Sequence, residues 1–115
     1  MSISPEITTL VDQLNQELNQ TQQEASVGLN LVRQAMSRFP NNVLLIQFFA
    51  YFSAALFFVD NSKRRIQTTI EQISAENAPS LVIQEVGRDL ATLLGETLEA
   101  KIRGRNIITR LENIL

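Results

Sequence analysis

The sequence predicts an all-α protein in which three long antiparallel helices form a bundle. Apolar residues recur at alternating steps of three and four along most of the chain, the spacing that places them on one face of a helix. The prolines fall only at position 5 and in two turn-like clusters, which divide the chain into three segments of similar length. At 115 residues the chain has the size of one domain, so residues 1–115 are predicted to form a single helical bundle, completed by oligomerisation.

The first segment is predicted to be helical over residues 5–38. It begins with Ser4, Pro5 and Glu6, which combine a capping hydroxyl, a proline suited to the first helical position and an acid favoured by the helix dipole. A single stripe of residues at helical spacing follows and is predicted to face the core: Ile7, Val11, Leu14, Leu18, Thr21, Ala25, Gly28, Val32, Ala35 and Phe39.

The second segment, predicted as a helix over residues 42–77, contains the most apolar part of the chain. Residues 43–59 read VLLIQFFAYFSAALFFV, and no charged residue occurs between Arg38 and Asp60. A helix that is apolar on all sides must be enclosed by protein or surrounded by lipid. Beyond Asp60 the apolar stripe becomes narrow, and the absence of proline or glycine there favours a continuous helix.

The third segment is predicted as a helix over residues 80–115. Its predicted core stripe consists of Ile83, Val86, Leu90, Leu94, Leu98, Ile102, Ile108, Leu111 and Leu115, and Leu93, Ile107 and Ile114 widen it. Glycines interrupt this helix at a cost of about 1 kcal/mol each relative to alanine, which indicates a packing role. Counting from the two turns places Gly28, Ser53 and Gly104 at one level of the bundle, where they would allow close helix packing or make room for the phenylalanines beside Ser53.

A three-helix bundle cannot cover the whole circumference of the second helix, so part of it is predicted to mediate self-association. The candidate interface residues are Leu45, Phe48, Phe49, Phe52 and Leu56. Phe48 and Phe52 are the candidates for facing outward. A homodimer is the simplest assembly that would cover them, and higher oligomers are the alternative.

Two alternatives to a soluble oligomer follow from the same segment. The first is a small membrane-anchored protein with residues 43–59 as its transmembrane helix, although roughly 17 residues span only about 25 Å of a hydrocarbon core that is about 30 Å thick. The amphipathic flanking segments favour packing in water over a membrane span. The second alternative is a bundle whose phenylalanines line a cavity for an apolar ligand.

The composition argues against an enzyme and predicts neither a cofactor nor a metal site. The chain has no cysteine and no histidine, the residues that supply most thiolate chemistry, metal ligation and proton transfer near neutral pH. A net charge of −2 disfavours nucleic acid as a partner. Residues 1–9 lack the features of a secretory signal, so we expect a cytoplasmic protein, with a membrane location as the alternative.

The predicted function is therefore that of a non-enzymatic interaction or adaptor protein that binds itself and an unidentified protein partner. Charges on neighbouring helices should also match. Antiparallel counting places the basic residues 63–65 beside Glu17, and the spacing of Glu85 with Arg88 and of Glu99 with Arg103 predicts surface salt bridges.

Overall fold

Three long helices make up nearly all of the structure, a computed structural model that describes residues 4–75 and 78–115. They are α1 (Pro5–Arg38), α2 (Val43–Ala75) and α3 (Ser80–Ile114). The predicted all-α bundle is confirmed, and both ends of α1 and α3 and the start of α2 lie within one residue of their predicted positions. The predicted end of the second helix at residue 77 falls outside the described residues. Helix α2 continues without a break past Asp60, as expected.

The first two helices begin with side-chain caps, and the cap of α1 is the one that the sequence predicts. The Ser4 hydroxyl oxygen accepts a hydrogen bond from the Ile7 backbone N–H at 3.4 Å, and the Asn42 side-chain oxygen accepts one from the Leu45 N–H at 3.2 Å. Each bond satisfies a donor that the first helical turn leaves without a backbone partner. Helix α3 begins after Pro79 without a side-chain cap.

The bundle is a narrow rod of 57 × 18 × 17 Å in which α1 is the central helix. Helix α1 packs closely against both other helices, whereas α2 and α3 touch each other much less. All but one of the residues of the predicted α1 stripe are buried. The exception is Phe39, which is 49% exposed because the chain leaves the helix at this residue.

The core face of α3 differs from its predicted stripe. The buried residues are Leu90, Leu93, Thr97, Gly104, Ile107 and Leu111, whereas Ile102 is 59% exposed. Successive steps of four rotate by about 40° beyond a full turn, so a stripe through Leu94, Leu98 and Ile102 leaves the core. Steps that alternate between three and four stay on it. They carry the core face through Thr97, whose hydroxyl donates to the Leu93 carbonyl at 2.8 Å.

The face of α2 that packs in the bundle follows the same alternation over its whole length. We call this set of buried residues the inner seam: Leu45, Phe48, Phe52, Ala55, Val59, Ser62, Ile66 and Ile73. Its first four residues join a core cluster near the turn between α1 and α2. Val59, Ile66 and Ile73 join a second cluster towards the other end of the rod.

Candidate interaction surface

Helix α2 carries a second stripe of residues that faces away from the bundle. We call it the outer stripe; it consists of Val43, Ile46, Ala50, Ser53 and Phe57, all of them exposed. The exposed fractions of Val43, Ile46 and Phe57 are 66%, 49% and 68%. These residues also alternate at steps of three and four, so they form a continuous ridge along about four helical turns.

The two stripes of α2 lie on opposite sides of the helix. Each outer position precedes an inner one by two residues, as Val43 precedes Leu45 and Ala50 precedes Phe52. Two residues correspond to a rotation of about 200°, nearly half a turn of the helix. Helix α2 therefore has two apolar faces of heptad spacing, only one of which the bundle covers.

The expectation that Phe48 and Phe52 face outward is wrong. Phe48 is 6% exposed, and Leu45 and Phe52 are each 1% exposed, so all three side chains belong to the core of the bundle. Phe49 and Leu56 are half-buried at the margins of the outer stripe. Of the five predicted interface residues, only Phe49 and Leu56 retain surface that a partner could contact.

The sequence contains a signal that would have given the correct orientation. Beyond residue 59 the inner seam continues through Ser62 and Ile66, whereas the outer stripe continues through Asp60 and Arg64. These two charged residues form an exposed ion pair at 2.9 Å. In a continuous helix, the residues at steps of three and four before Asp60 lie on the same face as Asp60. These residues are the outer stripe, which therefore faces solvent.

Arginines from the other two helices border the apolar half of α2. The Arg33 guanidinium of α1 lies 5.8 Å from the centre of the Phe49 ring, and that of Arg110 in α3 lies 5.3 Å from the centre of the Phe48 ring. Both distances are within the range of a cation–π interaction. Arg33 therefore borders the outer stripe beside Phe49, whereas Arg110 lies beside Phe48 of the inner seam.

On the inner side of α2, Gly28 of α1 and Gly104 of α3 flank the ring of Phe52. A β-carbon added at Gly28 would overlap the ring, and one added at Gly104 would lie 3.7 Å from it. The two glycines thus share one level of the bundle, and Gly28 makes room for a phenylalanine beside Ser53. Ser53 itself is exposed and does not take part in this packing, contrary to expectation.

Tyr51 ties α2 to α3 at the same level. Its hydroxyl donates a hydrogen bond to the carbonyl of Ala100 at 2.9 Å, and its ring meets that of Phe52 edge to face, with centroids 5.5 Å apart. Desolvation raises the pKa of Tyr51 above its usual value, against a smaller opposite effect of the Arg103 charge. Tyr51 is therefore a half-buried side chain whose hydroxyl has a hydrogen-bond partner on α3.

The cavity beside these rings has a volume of only about 10 Å³. Such a space holds about one water molecule. The phenylalanines and Tyr51 therefore fill this part of the core, and the geometry does not support the apolar-ligand alternative.

Polar side chains join α3 to α1 with partners that differ from the predicted ones. Glu17 forms an ion pair with Lys101, and Glu24 forms one with Arg105 at 2.8 Å. Lys63 instead donates a hydrogen bond to the side-chain oxygen of Gln22 at 3.0 Å. Glu17 thus faces α3, and the prediction that it pairs with residues 63–65 is wrong.

The other predicted ion pairs concern carboxylates along α3. Across residues 4–75 and 78–115, neither Glu85 with Arg88 nor Glu99 with Arg103 forms an ion pair. No cluster of three or more acidic groups that could hold a metal ion occurs in that part of the chain. The outer stripe is therefore the feature on which a functional argument can be built.

Comparison with protein-family models, curated proteins and solved structures finds no match to this chain.

Proposed function

We propose that this protein is a non-enzymatic helical interaction module that self-associates through the outer stripe of α2. The observation that supports the proposal is the exposure of Val43, Ile46 and Phe57 on one uncharged ridge. Isolated apolar residues are common on protein surfaces, but soluble monomers rarely expose a contiguous apolar patch larger than a few hundred square ångströms. Burial of such a ridge releases apolar surface from water, which is the main driving force for protein association.

The heptad spacing of the stripe favours another helix as its cover. A ridge of residues at steps of three and four fits the groove of a facing helix, as in coiled coils. The stripe extends over only about four turns, so the interface is of the smaller, weaker class and association should depend on protein concentration. A closed dimer related by a two-fold axis is the commonest arrangement for such a patch.

Charge placed on the stripe is expected to abolish self-association. Phe57→Glu and Ile46→Glu should each give a monomer in sedimentation equilibrium, because the new carboxylate would have to be buried against a second helix. The parent protein should show a monomer–dimer equilibrium. Circular dichroism should confirm that both variants remain helical, since the replaced side chains lie outside the core.

Two exposed apolar residues elsewhere provide matched controls. Leu81 and Ile102 are 65% and 59% exposed but lie on α3, away from the stripe. Leu81→Glu and Ile102→Glu should leave the dimer intact. A parent protein that stays monomeric without detergent at tens of micromolar contradicts the proposal, as does a dimer that only the control substitutions dissociate.

Membrane association is the second candidate function, and the hydropathy of α2 favours it. An 18-residue window of this helix has a mean hydropathy of 1.9, and only 28% of that window is buried. The end of the rod that carries the stripe is also basic. Residues 29–51 and 106–115 contain three arginines, Arg33, Arg38 and Arg110, but only one acid, Glu112. Exposed apolar surface at a basic end of a molecule is typical of proteins that bind anionic membranes.

Flotation with lipid vesicles distinguishes the two candidates. Under self-association the protein should remain in the vesicle-free fraction with both neutral and anionic vesicles. Flotation with anionic vesicles that is lost at high salt and in Phe57→Glu would support membrane binding instead, because salt screens the attraction of the arginines. Salt should not weaken the dimer, since the residues of the outer stripe that form its contact carry no charge.

A further inference from the structure

We infer that the second copy packs antiparallel along α2, with the two-fold axis between the levels of Ile46 and Ala50. This inference rests on the proposed self-association and assigns its orientation and register. It follows from the order of large and small residues in the outer stripe. Val43 and Ile46 are large, whereas Ala50 and Ser53, one and two steps further along the helix, are small.

In the antiparallel arrangement the four central layers, formed by residues 43, 46, 50 and 53 of the two copies, each pair a large residue with a small one. Ile46 packs against Ala50 of the second copy, Val43 packs against its Ser53, and the two-fold axis repeats both pairs. The summed size of each layer is then similar, so the two helix axes can keep a constant separation while the side chains interdigitate. Such packing leaves few voids at the contact.

A parallel arrangement would pair each residue with itself. Val43 and Ile46 would hold the helices apart at one end of the contact, whereas Ala50 and Ser53 would touch only if the helices came much closer. Two straight helices cannot be far apart at Val43 and Ile46 and close together at Ala50 and Ser53. A gap would therefore remain between the small residues, and the interface would lose their van der Waals contacts. The size pattern therefore favours the antiparallel pair.

The same register covers the exposed aromatic residues and leaves charges in water. Phe57 lies beyond Val43 of the second copy, at the level of the turn between its α1 and α2, where Phe39 is 49% exposed. Asp60 and Arg64 extend beyond that turn. The next register that keeps the stripes in contact would place Asp60 against Val43, which would bury a carboxylate against an apolar side chain.

Single cysteines test the orientation, because the chain has no cysteine of its own. Val43→Cys and Ser53→Cys are prepared separately, oxidised under mild conditions alone and as an equal mixture, and analysed by non-reducing electrophoresis. In the antiparallel pair Cys at 43 lies in the same layer as Cys at 53 of the second copy. Two copies of residue 43 lie about 15 Å apart along the axis, beyond the roughly 7 Å between Cα atoms that a disulfide spans. Only the mixture should therefore form a covalent dimer.

The outcomes separate this inference from the proposed function. Efficient cross-linking of Val43→Cys alone would indicate a parallel pair and overturn the inference while leaving self-association through α2 intact. A parent protein that is monomeric by sedimentation would overturn both. A dimer in which neither the single variants nor the mixture cross-link would mean that another surface mediates the contact, which also contradicts both.

Discussion

Replacing Phe52 with alanine is expected to lower the free energy of unfolding by about 3–5 kcal/mol. The Phe52 ring is 1% exposed and packs between α1 and α3, so its loss leaves a cavity that the helices can close only in part. Phe57 provides a matched control on the same helix, because it is 68% exposed. Phe57→Ala should change the free energy of unfolding of the monomer by less than about 0.5 kcal/mol.

Urea unfolding followed by circular dichroism measures both effects. The comparison should be made at a low protein concentration, because dimer formation adds a concentration-dependent contribution to stability. At high concentration Phe57→Ala should lose that contribution, whereas Phe52→Ala should be destabilised at every concentration. Equal effects of the two substitutions in dilute solution would mean that Phe52 is not enclosed as the structure describes.

The sequence predicts α1 almost completely because its two faces differ in polarity. Its stripe of apolar and small residues is separated by amides and charges at every turn, so only one orientation buries the apolar side. Even Thr21 and Gly28 could be assigned to the core from their position in the repeat. Both turns were also predicted, since a proline stands in each of them.

The orientation of α2 could not be read from its apolar half alone. Both faces of residues 43–59 are apolar, so burial of Phe52 and burial of Ser53 satisfy the hydrophobic pattern almost equally well. The difference comes from tertiary packing, because the Phe52 ring fits over Gly28, a residue on another helix. The core face of α3 was also hard to predict, because Thr97 and Gly104 are buried there and neither is a large apolar residue.

The candidate surface was predicted to lie on the correct helix and the correct segment, but on the wrong face. Composition identifies α2 as more apolar than one bundle can cover, and the structure describes an uncovered apolar stripe there. The particular residues depend on the phase of the helix, which the charged positions Asp60 and Arg64 fix. Whether the stripe meets protein or lipid depends on the charge around it, and Arg33 and Arg110 come from other helices. Only the assembled fold places these arginines beside α2.

Gly28→Ala is expected to destabilise the protein by about 1–3 kcal/mol, although alanine is the better helix former. The added methyl group would overlap the Phe52 ring, so α1 and α2 must move apart or the ring must leave its position. Gly95 is the matched control, because it lies in the interior of α3 and a β-carbon there would meet nothing within 4 Å. Gly95→Ala should therefore stabilise the protein by about 0.5–1 kcal/mol.

A second substitution tests whether the Phe52 ring is the cause of this effect. Phe52→Leu removes part of the ring and leaves a gap, so it should be destabilising in the parent protein. In the double variant, Leu at position 52 leaves room for the methyl group of Ala at position 28. The double variant should therefore be more stable than the sum of the two single effects predicts. A coupling free energy of about 0.5–3 kcal/mol is typical of residues in direct contact. Strictly additive effects, or a stabilising Gly28→Ala, would contradict the close approach of α1 to Phe52 on which the orientation of α2 and its outer stripe depends.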